Sequence, residues 1–431
     1  MKVSQNKMKN AFLGIIYKIL AAYAKKVIDT HHPFVVAITG SVGKGSAKEA
    51  ILQVMRDHFG DDEVRANYGS LNAEIGIPLT ILGYKSLPNK FLWLPFLVGA
   101  YFRTNEKKYP KYLILEMGVE HVGDIEYFTK IVTPDVAVIT SVSGAHLMNF
   151  SSLSAYQAEK ISLADKVRKD GVVIANFDDN ALKSKLAGRD VVSVGILEKS
   201  AQYHAEDIRV TLKGTDFRVV SLGQKIAIKS KVVGQHLIYP FLFAYAIGQL
   251  SEIQSLQIKK SLEKISSVNG RMNFIEGRNG MMIIDDTYNA SPVSVKAALD
   301  TLASLSNANN RKIFIMGNMN EMGPAAKNLH QEIGAYASKK CDIAIFVGPN
   351  AQYMAEGYND GKTCYQYPNR IELITSLDKI LKPNDLVLVK ASQNMNFFEE
   401  VVKNIMKYPN EASKKLVRQS GFWLKKKNNS Y

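Results

Sequence analysis

The sequence predicts an α/β protein with a phosphate-loop central domain, whose parallel sheet carries a small antiparallel meander, followed by a Rossmann-like C-terminal domain. Short apolar runs alternate with helical patterns along most of the chain, which is typical of parallel βαβ architecture. Residues 206–233 instead alternate apolar and polar side chains with a period of two and contain glycine turns, which indicates antiparallel strands. A new βα series begins after residues 269–271, and this predicts the second domain.

The individual elements follow from these patterns. In the first half we expect strands at 34–39, 112–116, 135–140 and 172–176, and a helix after the meander at 235–250. In the second half we expect strands at 281–285, 312–317, 342–348 and 386–392. The expected domains are a basic amphipathic N-terminal helix in 1–32, the central domain in 33–268, the C-terminal domain in 269–410 and a basic tail in 411–431. We expect the end of that tail to be solvated and disordered.

Composition and charge limit the classes of partner. The chain has 431 residues, 46% of them hydrophobic, and a net charge of +15, so it suits anionic partners such as nucleotides or acidic lipid. No RNA- or DNA-binding motif accompanies this charge, which argues against a nucleic-acid partner. Cys341 and Cys364 have neither metal-ligand nor disulfide-framework spacing, and this predicts a cytoplasmic protein.

Two apolar segments bear on membrane contact. Residues 8–28 predict a basic amphipathic helix, but Lys18 interrupts its apolar run and no cleavage site follows, so we expect neither a signal peptide nor a spanning helix. Residues 91–102 form an apolar patch that contains Pro95 and is too short to cross a bilayer of about 30 Å. Packing against the body of the protein is the favoured interpretation of both segments, and contact with a membrane surface is the alternative.

The most informative segment is FVVAITGSVGKGSAKEAI at 34–51. A β-branched strand, a turn with glycines, a lysine and a helix form the arrangement with which proteins bind polyphosphates. Backbone N–H groups approach the anion, the helix N-terminus adds positive charge, and the lysine neutralises oxygens. Gly45 stands where a Ser or Thr ordinarily supplies a hydroxyl to Mg²⁺. The candidate nucleotide-binding residues are Gly40, Ser41, Val42, Gly43, Lys44, Gly45 and Ser46.

Three more side chains lie near the ends of predicted strands. Glu116 ends one strand, His146 follows the next, and Lys160 lies on the helix after that. Because open α/β sheets bind ligands at the carboxyl ends of their strands, Glu116 and His146 are candidates to share one Mg²⁺ ion with phosphate oxygens. Each residue alone is more often structural, but their order and spacing favour a site.

Eight ordered segments carry a resemblance to a known family. They are GSVGK (40–44), NYGSLNAEIGIPLTIL (67–82), LEMGVEHVGDI (115–125), AHLMNF (145–150), NGRM (269–272), DDTYNASP (285–292), GNMNEMG (317–323) and LVKAS (388–392). Over residues 33–405 the chain resembles the Mur ligases, ATP-dependent amide-forming enzymes of peptidoglycan synthesis. The resemblance is closest to the branch that adds D-alanyl-D-alanine to UDP-N-acetylmuramoyl-tripeptide.

This resemblance implies a reaction and a set of residues. ATP would phosphorylate a peptide carboxylate, and an amino acid or dipeptide would then displace phosphate and form the amide. The residues assigned to catalysis are Lys44, Glu116, His146, Lys160 and Arg271. The resemblance adds Arg271 and Asp286 to the ATP site, makes Glu116, His146 and Ser46 the Mg²⁺ ligands, and places Asn72, Tyr288 and Asn289 at the substrates. Lys160 aligns with a family lysine that is carbamylated, which would turn a cation into an anion.

The chain also departs from the family pattern. Gly45 supplies no hydroxyl, and Ser46 lies about 100° further round a helix. At four other positions the family pattern has two asparagines, an aspartate and an arginine. This chain has Leu237, Pro240, Asn318 and Gln393 there. The short segment before the first strand leaves no room for the family's UDP-binding domain. One hypothesis is therefore a monomer that works at the inner face of the membrane on a lipid-linked precursor.

Three functions compete on these observations. The first is the ligase, and the second is a catalytically weakened Mur-like protein that binds nucleotide or precursor. Retention of Glu116 and Lys160 favours the enzyme, because a binding protein needs neither. The third keeps the chemistry but changes the substrate, as in folylpolyglutamate or cyanophycin synthesis, and DDTYNASP argues against it.

Overall fold

Two β-sheets organise the chain in the computed structural model, which describes residues 2–69, 71–88, 92–143, 149–305, 310–358, 361–393 and 396–428. Within these residues the first sheet contains β1 (Phe34–Thr39), β2 (Val64–Ala66), β3 (Tyr112–Glu116), β4 (Val136–Ile139), β5 (Val172–Asn176), β6 (Val192–Gly195), β7 (Tyr203–Thr211), β8 (Gly214–Ser221) and β9 (Gln224–Ser230). Their spatial order is β2-β3-β1-β4-β5-β6-β7-β8-β9. The pairs from β2 to β7 are parallel, whereas β7, β8 and β9 pair antiparallel and form the meander.

The second sheet is smaller and also mainly parallel. Its strands in the described residues are β10 (Asn273–Glu276), β11 (Met282–Asp286), β12 (Lys312–Met316), β13 (Ile343–Val347), β14 (Thr363–Tyr367) and β15 (Leu386–Lys390). Their spatial order is β10-β11-β15-β12-β13-β14, and only the β10–β11 pair is antiparallel among these pairings. The carboxyl ends of β11, β12 and β15 therefore meet at one edge.

Helices cover both faces of each sheet. Those described are α1 (Lys2–His31), α2 (Lys44–Phe59), α3 (Gly76–Ile81), α4 (Trp93–Arg103), α5 (Asp124–Ile131), α6 (Leu153–Ile161), α7 (Asn180–Lys185), α8 (Ile238–Leu250), α9 (Ser255–Leu262), α10 (Pro292–Ser304), α11 (Ala326–Ala337), α12 (Ala351–Gly357), α13 (Arg370–Ile380), α14 (Glu399–Ile405), α15 (Ala412–Lys415) and α16 (Gly421–Asn428). One face of the first sheet packs on α2, α8 and α9, and the opposite face packs on α1, α3 and α5. Two apolar clusters lie on the faces of the second sheet in the same way.

The α/β class and every strand expected from the sequence are confirmed, with ends shifted by one or two residues. The sequence does not predict β2, β6, β10 or β14. Three of these four lie at sheet edges, and the fourth has only four residues. Short or edge strands lack the continuous apolar run that marks a strand buried on both faces.

The expectation of a disordered basic tail is wrong up to residue 428. Residues 421–428 form α16, and only 429–431 of the tail lie outside the described residues. The side chain of Lys427 is 3% exposed and pairs with Glu399 and Glu400. Because these acidic partners lie elsewhere in the sequence, the run of lysines by itself gives no sign of the pairing and predicts a solvated segment.

The N-terminal helix packs along one side on the first sheet. Ile16, Leu20, Ala24 and Val27 are buried at intervals that place them on one face of α1. Helix α4, which contains the apolar patch predicted at 91–102 apart from its first two residues, packs beside α1. Among the described residues, no helix combines the length and apolar character needed to cross a membrane.

Candidate active site

The phosphate loop joins β1 to α2 and lies against the end of β4. Gly40 and Gly43 have φ angles of 144° and 84°, a region that glycine adopts without strain. A Cβ on Gly40 would lie 2.1 Å from Thr140 Oγ1, so a larger residue cannot approach β4 this closely. The Ser41 N–H donates to the Ser141 carbonyl at 2.8 Å, and the Ser41 hydroxyl lies 2.9 Å from the Tyr156 hydroxyl. The loop is thus held in place by the neighbouring strand end and by α6.

Lys44 is the first residue of α2, and its side chain folds back over the loop. Its Nζ donates to the Gly40 carbonyl at 2.7 Å. Burial lowers the pKa of Lys44, Glu116 partly opposes this shift, and Arg271 adds to it. Lys44, Glu116 and Arg271 are therefore electrostatic neighbours. Because the cations outnumber the carboxylate, the site favours an anionic ligand.

Glu116 ends β3 and is held by side chains from α2 and from the segment after β2. Its Oε1 accepts from Asn72 Nδ2 at 2.9 Å, and its Oε2 lies 3.9 Å from Lys48 Nζ. The backbone N–H of Glu116 donates to Asn67 Oδ1 at 2.5 Å. The carboxylate is therefore positioned before any ligand binds. Asn72, assigned to substrate by the resemblance, contacts the carboxylate directly.

Gly45 faces the centre of this group. A Cβ at this position would lie 3.4 Å from Arg271 Nη2 and 3.6 Å from Glu116 Oε2, which are ordinary contact distances. A side chain at 45 would point at the carboxylate. The side chain of Ser46 leaves the helix about 100° further round. Position 45, rather than 46, faces Glu116 directly.

Lys160 comes to the same place from α6. It is 1% exposed, and its Nζ lies 4.6 Å from the ring centroid of Tyr156. Burial and the positive charge of Lys44 lower the pKa of Lys160 well below its usual value, against the pull of Asp124 and other carboxylates. A neutral amine is the form of lysine that reacts with carbon dioxide.

The predicted metal site is only partly visible. His146 lies outside the described residues, so its predicted place is untested. Within the described part of the chain, no group of three or more His, Cys, Asp or Glu side chains is arranged to hold a metal ion. Glu116 is a hard oxygen ligand of the kind that Mg²⁺ prefers, and it stands beside the phosphate loop.

Arg271 approaches the phosphate loop from the hinge before the second sheet. Its guanidinium lies 4.2 Å from the ring centroid of Tyr288, at a cation–π distance. The Tyr288 N–H donates to the Gly270 carbonyl at 2.9 Å. Through these contacts the structure joins DDTYNASP to the loop GSVGKG.

Two other predicted residues, Asp286 and Asn289, belong to a polar network at the carboxyl ends of β11 and β15. Asp286 forms an ion pair with Lys390 and accepts from the Met272 N–H at 3.2 Å. Lys390 also donates to the Asn289 carbonyl at 2.8 Å. Asn289 Oδ1 accepts from the Gln393 N–H at 3.4 Å, so Gln393 contributes backbone rather than a cation here.

A cavity of about 290 Å³ lies between the two sheets, lined by both domains. His236, Tyr239 and Gln235 face it from the GQHLIYPF segment, with Asp300 and Thr301 opposite on α10. Burial lowers the pKa of His236 to about 4, so the imidazole is neutral at pH 7. Its buried Nδ1 has no hydrogen-bond partner among the described residues. A ligand with a polar edge would complete it.

The predicted residues therefore divide into three groups. The structure brings together Lys44, Gly45, Asn72, Glu116, Lys160 and Arg271. Tyr288 joins them through Arg271, while Asp286 and Asn289 stand one layer away. Five further residues of the site are not predicted from the sequence: Lys48, Asn67, Tyr156, His236 and Lys390. Lys48, Asn67 and Lys390 lie inside or beside the quoted motifs, and that proximity is the signal that would have found them.

Comparisons with known proteins agree with this geometry. The model of the Mur ligase middle domain matches residues 38–248, and that of the Mur ligase glutamate ligase domain matches residues 270–393. The UDP-N-acetylmuramoyl-tripeptide–D-alanyl-D-alanine ligase of Bacillus subtilis is 27% identical over 379 residues, which cover 87% of this chain and 76% of the relative. The ligase of the same name from Haemophilus influenzae is 28% identical over 397 residues, covering 90% and 79%.

Solved structures share the fold. MurF from Acinetobacter baumannii superposes with a TM-score of 0.77 at 22% identity, covering 90% of this chain and 80% of that one. MurF ligase from Thermotoga maritima in complex with ADP gives 0.76 at 23% identity, covering 92% and 84%. The two matched domains span the phosphate loop, Glu116, Lys160, Arg271 and the loop after β11. The chain belongs to the Mur ligase family.

Proposed function

We propose that this protein is an ATP-dependent ligase of peptidoglycan precursor synthesis that joins D-alanyl-D-alanine, or a similar amine, to a peptide carboxylate. The names of the relatives supply the substrates, and the family supplies the reaction class. The observation that carries the proposal is the meeting of Lys44, Glu116 and Lys160 with Arg271 at the junction of two domains.

The residues divide the work by their chemistry. Lys44 and Arg271 would neutralise the charge that spreads over the transferred phosphoryl group. Enzymes that transfer phosphoryl groups act mainly by stabilising this charge. Residues 40–46 of the phosphate loop would bind the remaining phosphates through backbone N–H groups at the start of α2. Asp286, which Lys390 holds one layer away from Arg271, would reach the nucleotide only when the second domain approaches the first.

Magnesium would neutralise charge between the nucleotide and the activated carboxylate. Glu116 fits it, since a buried carboxylate already oriented by Asn72 is an oxygen ligand at the required place. We propose Ser46 and His146 as its companions. Ser46 would reach the ion only after a local rearrangement at the start of α2, because its side chain leaves the helix about 100° from the direction of position 45 and Gly45 offers no oxygen.

The adenine base is proposed to occupy the cavity between the sheets. The neutral His236 ring, which lines the cavity, would contact the base and would accept a hydrogen bond from it once Nδ1, which the protein covers, turns towards the base; Leu237 and Pro240 cannot supply such a contact. Tyr239 is not free for this role, because its hydroxyl donates to Asp178 Oδ2 at 2.6 Å. Replacing His236 with Phe is expected to raise the Kd for ATP about tenfold, since one buried hydrogen bond contributes about 1–1.5 kcal/mol. An unchanged Kd would contradict this placement.

Lys160 is proposed to be carbamylated. Its lowered pKa leaves a larger neutral fraction near pH 7, which carbon dioxide requires, and the carbamate would then face Lys44 as an anion. With ¹³C-labelled bicarbonate, NMR is expected to show a carbamate signal that is absent in Lys160→Gln and retained in the exposed control Lys130→Gln. A signal that survives in Lys160→Gln would contradict the assignment.

Asn72, Tyr288 and Asn289 are proposed to contact the substrates.

Phosphate release from ATP, with UDP-N-acetylmuramoyl-tripeptide and D-alanyl-D-alanine both present, tests the function as a whole. We expect turnover that requires both substrates. Turnover with neither wild type nor Gly45→Thr would overturn the proposal. Turnover in the substituted protein alone would support the catalytically weakened alternative, which the intact Lys44, Glu116 and Arg271 do not favour.

A membrane-facing site of action is also proposed, on the cytoplasmic side, where the free cysteines Cys341 and Cys364 would stay reduced. Helix α4 packs one apolar face, which is partly buried, against the protein and leaves a second apolar face exposed, at Leu94 (75%), Val98 (51%), Tyr101 (48%) and Phe102 (67%). The spacing puts these four on one side of the helix. A helix that is apolar all round is ordinarily covered.

Three basic residues lie near the C-terminal end of this face, together with the exposed Glu106. Lys26 contacts Tyr101, and Lys107 and Lys108 are exposed just beyond the end of α4. Apolar side chains with basic residues at one end match the surface of an anionic bilayer, where a lipid-linked precursor would reside. We propose a monomer whose α4 contacts that surface.

Flotation with vesicles of phosphatidylglycerol tests this contact. Wild type is expected to float with the vesicles, and so is the control Leu222→Ser, which lies at an exposed turn of the meander. The double variant Leu94→Ser/Phe102→Ser is expected not to float with them. Absence of wild-type binding would contradict the proposal. So would light scattering that shows a dimer which the double substitution dissociates, because α4 would then be a protein interface.

A further inference from the structure

The last described residues of the chain return to the loop that follows β11. We name residues 416–428 the C-terminal strap. Arg418 in the strap donates from Nη2 to the Tyr288 carbonyl at 2.6 Å and from Nη1 to the Thr287 carbonyl at 3.2 Å. Its side chain is 8% exposed. Neither the phosphate-loop chemistry nor the proposed metal site uses this arginine.

The strap is held by buried charges. Glu399, at the start of α14, is fully buried, with Arg418 Nη1 at 2.9 Å from Oε2 and Lys427 Nζ at 3.0 Å from Oε1. Lys427 also lies 2.6 Å from Glu400 Oε1. Two cations of the strap thus meet two carboxylates of α14. Since a buried charge without a partner is costly, this set favours the docked strap.

The loop at 287–290 is fixed from two sides. Four consecutive carbonyls accept hydrogen bonds from side chains: those of Thr287 and Tyr288 from Arg418, that of Asn289 from Lys390 and that of Ala290 from Ser392. Lys390 and Ser392 come from the sheet side, and only Arg418 comes from the strap. Without Arg418, the Thr287 and Tyr288 carbonyls lose their side-chain donor, while the Tyr288 N–H keeps its bond to Gly270.

Tyr288 in this loop also lies next to Arg271, which borders the phosphate loop. The Tyr288 ring lies between the strap and the hinge, with the Arg418 guanidinium 5.9 Å and the Arg271 guanidinium 4.2 Å from its centroid. Arg271 Nη2 in turn lies 3.4 Å from the Cβ position of Gly45. A continuous set of contacts therefore runs from Glu399 to the phosphate loop.

We infer that Arg418 is a positioning residue of the ligase, which holds the backbone at Tyr288 and so orients Tyr288 for the amine substrate. The inference rests on the proposed function, because it takes Tyr288 as a contact of the amine. The strap is thereby part of the site rather than an appendage.

The test removes both charges of the pair, so that no buried carboxylate is left alone. In Arg418→Met/Glu399→Gln, hydrogen exchange of the amides in 286–291 is expected to speed up about tenfold, while the amides of 40–46 and the Tm stay close to wild type. The matched control is Arg278→Met, which breaks an ion pair with Asp378 at the surface of the same domain. Unchanged exchange in 286–291 would overturn the inference, as would equal acceleration in both loops.

Kinetics provide the second readout. The double variant is expected to raise the KM for D-alanyl-D-alanine about tenfold and to leave the Kd for MgADP within twofold. Arg418→Lys is expected to recover part of the loss, since an ammonium reaches one carbonyl but not both in the planar geometry of a guanidinium. Equal weakening of amine and MgADP would contradict a positioning role. If wild type shows no turnover while the exchange result holds, the proposed function fails and the role of Arg418 in holding the loop stands.

Discussion

Two lysines at strand ends, the partly buried Lys44 after β1 and the buried Lys390 at the end of β15, have opposite surroundings. Lys390 is 1% exposed and forms an ion pair with Asp286. Lys44 donates to carbonyls of its own loop, and no carboxylate of the described residues lies within salt-bridge distance of its Nζ. Its neighbours include Arg271 and Lys160, which carry or can carry the same charge.

This contrast separates a structural lysine from a ligand-binding one. The charge of Lys390 is neutralised by the protein, and its hydrogen bonds fix the loop at 287–290 before any substrate arrives. The charge of Lys44 is left for an anion that the protein does not contain. A cation with a lowered pKa beside other cations is a functional-site signal, because folding alone gains nothing from it.

The largest expected effect comes from removing the structural lysine. Lys390→Met leaves Asp286 buried without its cation, and breaking one side of a buried pair costs about 3–5 kcal/mol of folding free energy. Urea denaturation measures this loss. The matched double substitution Lys390→Met/Asp286→Asn is expected to recover most of it. A single variant as stable as wild type would erase the distinction between the two lysines.

Removing the ligand-binding lysine is expected to affect turnover instead. Lys44→Met should lower kcat by about 10²–10³-fold, the cost of losing one group that stabilises transition-state charge. The same substitution should leave the urea midpoint unchanged or slightly raised, since it removes a desolvated cation. Steady-state kinetics and denaturation measure both quantities on one preparation. A large loss of stability with normal turnover would reverse the roles.

The smallest effect concerns the metal hydroxyl. Gly45→Ser puts a hydroxyl towards Glu116 and Arg271, where the structure has room for the Cβ. We expect the half-saturating Mg²⁺ concentration to fall several-fold in this variant and to rise several-fold in Ser46→Ala, because one metal ligand contact contributes about 1 kcal/mol. Ser154→Ala, at an exposed position of α6, is the control. No change in either variant would exclude both positions from the metal site.

The sequence predicts the fold and the chemical residues better than it predicts their support. Strands buried on both faces are marked by continuous apolar runs, so the sequence predicts β1, β3, β4 and β5. The phosphate-loop motif identifies Lys44 directly. Edge strands such as β2 and β14 carry weaker patterns and are missed.

Supporting residues depend on contacts between distant parts of the chain. Arg418, which lies outside every quoted motif, reaches Tyr288 from 130 residues away. No local pattern distinguishes such an arginine from a solvated one. For the same reason Lys427, in a run of three lysines, is predicted to be solvated but is buried against Glu399 and Glu400.

Titration calorimetry with magnesium and ATP tests the central claim most directly, namely that a triphosphate binds where Lys44 and Arg271 meet. We expect wild type to release heat with one site per chain, and Lys44→Met to release little or none under the same conditions. No heat with wild type, or equal binding by Lys44→Met, would contradict the claim.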